Sequence, residues 1–410
     1  RGGENQNEVQ NNEEEQAPPL SFVGLGPELA TNLEIISSEP VQRYRDHTAD
    51  VIDLSWSHTN FLLTASVDKS VRLYHFSKSN CLHLFKHANL VASVDFHPLD
   101  DRYFISGGLD KKLRLWNITD GRVKDWAQAP EVITSTRFTP DGKYAVAGLL
   151  RGQVYLYEAD GLKYYTQIAC RNRSGKNRKG KKVTGISFLR EVDDKSEHSE
   201  EHHPSLTERL SETGRSVANL VATKVLGNPE ALSTRRTDRM LVSTNDSRVR
   251  LYGLNDFCMI RKYKGHTNNS MQIRARVSES GSHIACGSES GHCFIWDVDP
   301  NKNRLKKNMI NKQIQSTKDK SKSTDYFEAS KASLPIVTDT LFFPTMTVRE
   351  SLLTSQEVFP LSLGMDRIDD DFSSAAILTL DYDGTIRVFV RKTCIDNILE
   401  ACTPRGGTMA

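Results

Sequence analysis

Two short stretches decide the reading of this chain: Asp68-Lys-Ser-Val-Arg-Leu-Tyr74 and Asp110-Lys-Lys-Leu-Arg-Leu-Trp116. Each opens on an acidic turn residue, passes two polar residues and runs into an apolar–polar alternation that ends on an aromatic. Alternation of period two is the pattern of a half-buried strand. The two aromatic ends lie 42 residues apart. A phrase of this kind recurring every ~40–45 residues marks a blade of a β-propeller, in which four antiparallel strands repeat around an axis.

Outward from these stretches the same unit recurs. The first copy places strands at 51–56 and 61–66 before the Asp68 phrase, and the second at 91–96 and 103–107 before the Asp110 phrase. A third has strands at 134–138, 144–148 and 153–157, with an Asp141-Gly142 turn. The fourth begins at 183–188, breaks off, and resumes at 239–244 and 246–252. The fifth spans 272–277, 283–287 and 292–296, and the sixth 336–343, 376–380 and 383–389. The expected fold is therefore all-β, with six inner-strand sets recognisable here. Residues 33–36 are strand-like, and 40–44 read as the outer strand of a preceding blade. A closed ring of seven would then draw on sequence before residue 1, giving a seven-bladed propeller in the full protein. The expected organisation is a disordered Asn- and Glu-rich segment at 1–19, a linker with the stray outer strand at 20–46, and the propeller at 47–392. Inserts fall at 189–238, 299–324 and 345–374, with a tail at 393–410.

Bulk properties exclude little but exclude it firmly. The formal net charge of +2 over 410 residues gives no global attraction to nucleic acid or membrane, so charge matters only locally. Seven cysteines, odd in number and without a C-x-x-C pair, read as reduced thiols of an intracellular protein. No signal peptide and no apolar run near 18 residues is present, which argues against secretion and against a spanning helix. The absence of an initiator Met implies a piece of a longer protein.

The repeated unit resembles the WD repeat. More narrowly, the chain resembles the family of the mammalian endosomal Rab-effector WD-repeat protein (rabphilin-like), in a fungal branch. The residues that carry this are Asp53-Leu-Ser-Trp56, Phe96-His-Pro98 with Asp101-Arg-Tyr-Phe104, and Leu113-Arg-Leu-Trp-Asn117. Further along are Gly142-Lys-Tyr-Ala-Val146, Lys163-Tyr164 with Thr166-Gln-Ile168, and Thr244-Asn-Asp-Ser-Arg248. In WD blades a His before the first strand, a Ser or Thr, a turn Asp and a Trp form a buried hydrogen-bonded tetrad. The resemblance thus implies that His47, Ser66, Asp68 and Tyr74, and His87, Asp110 and Trp116, are structural, with each His paired to its turn Asp. The tetrad decays elsewhere: Tyr74, Tyr157, Tyr252 and Phe389 replace Trp, and Arg151 and Ser290 take the turn-Asp place. Acids and bases scattered over blades this way do not make a hydrolase triad, and no enzyme is expected.

Other motifs weigh as follows. Gly175-Lys-Asn-Arg-Lys-Gly180-Lys181-Lys182 nearly spells a phosphate loop, but Lys182 stands where a magnesium-binding Ser or Thr belongs, and the segment joins two strands. It remains a dense basic loop: Arg171, Arg173, Lys176, Arg178, Lys179, Lys181 and Lys182, with no acid among them. A second basic tract runs over 301–323. Asp325-Tyr-Phe-Glu-Ala-Ser330 invites comparison with the two-phenylalanine ER-receptor motif, yet its flanks are Lys322 and Lys331, and it reads as the outer strand of the fifth blade. His198, His202 and His203 lie in a polar run without companion ligands, so neither a metal nor a cofactor is expected.

The resemblance implies a non-catalytic scaffold or adaptor in membrane trafficking or at membrane contact sites, including adaptors of lipid- or sterol-transfer proteins in fungi. Expected partners are proteins of that machinery, with any Rab GTPase contact made through segments outside this chain. The expected location is cytoplasmic, peripheral on endosomal, ER or plasma membranes. The alternative is a binder of anionic lipid (phosphoinositide) or RNA acting through the basic loops, nucleic acid being the less expected ligand.

Overall fold

The computed structural model describes residues 22–24, 40–171, 180–189, 239–299, 321–343 and 376–391. No helix occurs among the described residues. A short strand β1 (Phe22–Gly24) comes first. The first blade is then β2 (Val51–Trp56), β3 (Phe61–Ser66), β4 (Ser70–His75) and β5 (His83–Lys86). The second is β6 (Val91–Phe96), β7 (Tyr103–Gly108), β8 (Lys112–Asn117) and β9 (Arg122–Gln128). The third is β10 (Ile133–Phe138), β11 (Tyr144–Leu149), β12 (Gln153–Glu158) and β13 (Tyr164–Ala169). The fourth is β14 (Val183–Leu189), β15 (Arg239–Thr244), β16 (Arg248–Gly253) and β17 (Met259–Tyr263). The fifth is β18 (Ala275–Val277), β19 (His283–Cys286), β20 (His292–Asp297) and β21 (Asp325–Glu328). The sixth is β22 (Val337–Phe342), β23 (Ala376–Asp381) and β24 (Ile386–Arg391). All ladders within the blades are antiparallel, and each sheet has four strands in sequence order except the last.

That exception corrects one expectation. The outer strand beside β24 is β1, paired Phe22↔Arg391, Val23↔Val390 and Gly24↔Phe389. The chain from before the first blade therefore completes the sixth sheet. Residues 40–44, expected as an outer strand, form none: Val41 is 88 % exposed, and Tyr44 instead lays its ring on Tyr74, centroids 4.2 Å apart. A strand needs a ladder partner, and among the described residues no ladder includes this segment. The expected disordered segment 1–19, the strand-like run 33–36, the tail 393–410 and nearly all of the three expected inserts lie outside the described residues.

A shared irregularity shapes the inner strands. Five of the six carry a β-bulge at the same place, between Val51 and Asp53, Val91 and Ser93, Ile133 and Ser135, Val183 and Gly185, and Val337 and Asp339. A bulge re-aims the residue that follows it and increases twist. Inner strands β2, β6, β10, β14, β18 and β22 pack in that order around the axis. Between successive blades lie five apolar clusters, such as Leu63, Val71, Leu73 and Phe85 of the first blade against Val94, Phe96, Phe104 and Trp116 of the second. Each fully buried side chain of this kind contributes about 1.5–3 kcal/mol.

The two terminal faces of this arc differ from the rest. Leu54, Val94, Thr136, Ile186 and Thr340 hold one register position. The last four are at most 2 % exposed, covered by the preceding blade, whereas Leu54 is 53 % exposed, with Trp56 beside it. On the other side, Val71, Leu113, Val154 and Val249 are fully buried, while Ile386 in the same position is 55 % exposed. The first and sixth blades thus present uncovered apolar faces.

Two substitutions at one register position test this arrangement. Leu113→Ala should cost about 2–5 kcal/mol, whereas Ile386→Ala should stay within about 0.5 kcal/mol. Equal losses in urea unfolding would mean that the face of the sixth blade is covered in solution.

Candidate functional site: turn ties, axis and rim

Antiparallel alternation sends the turns between second and third strands, and the links from one blade to the next, to the same side of the ring. On that side each blade ties its turn to the adjoining link in its own way. In the first, His47 Nδ1 lies 2.7 Å from Asp68 Oδ2 and Nε2 lies 2.6 Å from Thr64 Oγ1. Asp68 also accepts from the Ser70 hydroxyl. Burial alone would raise the Asp68 carboxyl, yet the Ser70 and His47 bonds lower it to about 2. In the second, Ser106 Oγ sits 2.9 Å from His87 Nε2 and accepts from Trp116 Nε1 at 2.9 Å. A carbonyl can only accept, so Nδ1 of His87 carries a proton for the Phe85 carbonyl, 3.1 Å away, and in the neutral ring that burial favours Nε2 takes the Ser106 proton. Burial, with Arg114 adding, lowers its pKa to about 4.

Three expectations are corrected here. Thr64 holds the hydroxyl position, not Ser66, because residues 64 and 66 share a face and only 64 is level with the imidazole. Ser66 instead binds the Ala49 carbonyl and the Asp68 amide. Asp110 does not bond His87: Arg114, four residues along the strand, donates to its carboxylate at 2.5 Å. Tyr74 makes no bond to Thr64 comparable with that of Trp116 to Ser106, and contributes its ring against Tyr44. The same Asp–Arg spacing recurs in the fourth blade as Asp246 and Arg250. In the third, Arg151 pairs with Glu131 at 3.2 Å. In the fifth, Glu289 Oε1 accepts from the amides of Asn269, Ser270 and Met271. In the sixth, Asp381 accepts from Ser330 at 3.1 Å and from Arg387. His266, which the sequence reading missed, is buried in the fifth blade with both ring nitrogens unbonded, because Ser290 stands in the turn-Asp place. Burial, with Arg248 adding, lowers it to about 4.

The axis holds a second feature that sequence reading missed. Asp53, Ser93, Arg274 and Gly185 occupy corresponding places on the inner strands of the first, second, fifth and fourth blades. Asp53, with a side chain 1 % exposed, accepts from Arg274 Nη1 at 2.6 Å across the ring, from Arg137 Nη1 at 3.3 Å, from Ser93 Oγ at 2.6 Å and from the Val94 amide at 3.1 Å. Burial would raise this carboxyl, but Arg274 and Arg137 hold it well below the usual range. Neighbouring Asp95 goes the other way: burial raises it to about 6. Arg276 grips Asp339 with two bonds, 2.8 and 3.2 Å, and Gln272 Nε2 reaches the carbonyls of Thr134 and Thr184. Gly185 leaves the space: a Cβ there would fall 2.8 Å from Arg274 Cγ and 3.2 Å from its Cα. The acids and bases of the axis are thus consumed in fixed pairs.

On the opposite side, a groove of about 470 Å3 runs between the second and third blades. Tyr103, Leu115, Tyr144 and Ala159 give it an apolar lining, and Lys124, Lys143, Asp100 and Glu158 its charge. Lys124 lies 3.2 Å from Asp160 and 5.2 Å from the Tyr103 ring centroid. Of the basic loop, Arg171, Lys181 and Lys182 are described, on the turn side of the ring, whereas Arg173, Lys176, Arg178 and Lys179 lie outside the described residues. Residues 325–328 form β21, the outer strand of the fifth sheet. The described cysteines are free, and no cluster able to hold a metal occurs among the described residues.

Two measurements follow from this geometry. Asp53→Asn should cost about 3–5 kcal/mol, the scale of breaking a buried ion pair. In a double-mutant cycle with Arg274→Met the losses should be strongly non-additive; additive losses would show that the two side chains are not coupled. The second concerns acid. His87 and His266, ordinarily near 6.5, are lowered in the fold, so the unfolded chain takes up protons below about 6.5 that the native chain does not bind until about 4. Stability therefore falls as pH drops through that window. Asp95, protonated in the fold from about 6, offsets one of the two protons. His266→Phe should flatten the fall in urea midpoint between pH 7 and 5; an unchanged slope would count against a neutral buried His266.

Comparison with known proteins matches the repeat itself. The model of the WD domain, G-beta repeat, matches residues 38–75, 79–117 and 257–297, the segments that contain His47, His87 and His266. The chain is 35 % identical over 365 residues to WD repeat-containing protein 44 of Xenopus laevis, covering 86 % of this chain and 34 % of that protein. It is 31 % identical over 272 residues to an uncharacterized WD repeat-containing protein of Schizosaccharomyces pombe, 66 % of this chain and 40 % of that one. It is 28 % identical over 286 residues to 2-deoxy-glucose resistant protein 2 of Saccharomyces cerevisiae, 68 % of this chain and 30 % of that one. The chain spans roughly a third of the length of these relatives. Six four-stranded sheets, together with the three matched repeats, give this chain the fold of a WD-repeat β-propeller.

Proposed function

We propose that the chain is a non-catalytic adaptor of membrane trafficking or of membrane contact sites, joining proteins of the trafficking or lipid-transfer machinery, sterol carriers included. In this reading it is cytoplasmic and sits peripherally on endosomal, ER or plasma membranes, and a Rab GTPase contact falls to segments outside this chain. One contrast carries the adaptor reading. The ionisable groups at the axis are spent on one another, whereas the groove between the second and third blades offers aromatic rings and charges of both signs to solvent. A rigid surface with aromatic anchors and a polar rim suits a protein partner, while a closed axis offers no converging acid and base to a substrate. The trafficking assignment draws on the resemblance in residues 50–190, and the relatives' names add only the repeat.

Affinity capture from cells tests the reading, with the wild-type chain compared with a Lys124→Glu/Lys143→Glu groove variant. Trafficking or lipid-transfer proteins should be recovered by the wild type, and recovery should fall at least tenfold in the variant. Equal recovery would remove the groove from the proposal, and recovery of no such protein by either would remove the adaptor reading.

A further inference from the structure

The backbone at the corner between the third and fourth blades brings basic residues together around one glycine. Gly152 follows Arg151 in the third blade's turn and has φ +74°. Its carbonyl accepts from the Cys170 amide at 2.7 Å, which brings Arg171 to the turn. The returning chain presses against the same turn: a Cβ on Gly152 would fall 2.7 Å from the Lys181 carbonyl oxygen, and one on Gly180 would fall 2.0 Å from that of Arg151. Only glycine permits this double approach. Lys182 follows, its carbonyl accepting from the Asn245 amide at 3.0 Å, and so abuts the fourth blade's turn, where Arg248 lies. The backbone positions of four basic residues, Arg151, Arg171, Lys181 and Lys182, thus converge on this one corner.

Their charge is unbalanced. Glu131 pairs with Arg151, whose side chain stays 76 % exposed. No carboxylate pairs with Arg171, Lys181 or Lys182 among the described residues. Lys182 is half-buried, and its burial, uncompensated by any acid, lowers its pKa. On the neighbouring blade Lys262 is lowered too, by burial and by Arg250, Lys264 and Arg248. A partly desolvated ammonium without a counter-charge costs free energy that an arriving anion relieves. Elsewhere on this side of the ring two guanidiniums are matched, Arg114 with Asp110 and Arg250 with Asp246, while Lys69 and Lys111 stand singly in their own turns.

We infer that this corner is a binding site for a phosphate monoester, held by Arg171, Lys181 and Lys182 with Arg151 at its edge. A monoester carries about −1.5 to −2 charges and three terminal oxygens at neutral pH. It therefore answers several donors from one point, as a single carboxylate or a phosphodiester does not. The site is separate from the groove on the opposite side, and its fate is independent of the adaptor reading.

The test is direct titration at low ionic strength with inorganic phosphate and with inositol trisphosphate. The wild-type chain should bind both, the trisphosphate more tightly and with strong salt dependence. Arg171→Ser/Lys181→Ser/Lys182→Ser should weaken binding at least tenfold with thermal unfolding unchanged, while Lys69→Ser/Lys78→Ser should leave it intact. Phosphatidylcholine vesicles doped with a phosphatidylinositol phosphate separate the sources of the monoester. Vesicle retention abolished by free trisphosphate identifies a lipid headgroup; binding of the free compound without retention identifies a soluble or peptide-borne phosphate. Either result upholds the site. Equal binding by the triple variant, equal retention on phosphatidylserine vesicles, or equal competition by an oligonucleotide carrying only phosphodiesters would overturn it.

Discussion

The Asp53 carboxylate is the point on which the ring turns. It takes a bond from the fifth blade's Arg274 across the axis, another from the third blade's Arg137, and two from the second blade. A buried carboxylate in this position is tolerable only because two guanidiniums and a hydroxyl meet it, and those guanidiniums are tolerable only because it is there. The bulge repeated along the inner strands aims Asp53 and Ser93 inward, and Gly185 keeps the path of Arg274 clear. Neighbouring blades are joined by apolar clusters, but the axis joins blades that are not neighbours.

Around that axis the tie between turn and link survives while its chemistry changes. Imidazole and carboxylate serve in the first blade, a hydroxyl bridging indole and imidazole in the second, glutamate and arginine in the third. The turn amide of Asn245 on the link carbonyl of Lys182 serves in the fourth, a carboxylate on three backbone amides in the fifth, and a serine hydroxyl in the sixth. What is retained is the requirement that a tight turn and the passing chain satisfy each other's polar groups. His266 shows the reverse, an imidazole that remains after its usual partners have gone, with Cys286 and Ser290 in their places.

The strand pattern was legible because alternation is local: a residue's face depends only on its place in its own strand. Turn residues such as Asp141 and Gly142, and the aromatic strand ends, were legible for the same reason. The exchange between Ser66 and Thr64 was not, since both lie on one face and only the depth of the His47 ring separates them. Nor was the loss of Asp110 to Arg114, which needed the geometry of the strand beyond the turn. Asp53, Arg137 and Arg274 could have been suspected as charges inside otherwise apolar inner strands, but nothing in their spacing of 84 and 137 residues tells that they meet.

By itself, then, the amino-acid sequence determined the all-β class, the repeat, most strand positions and the basic character of the segment after Cys170. Each follows from local periodicity, turn chemistry or composition. Tertiary structure alone decided which charges neutralise one another, that β1 completes the sixth sheet, that the first and sixth blades keep apolar faces uncovered, and that Arg151, Arg171, Lys181 and Lys182 share one corner. These depend on distances between residues far apart in the chain, which the packing of blade on blade around the axis and the close approach of two glycines set and no local pattern encodes.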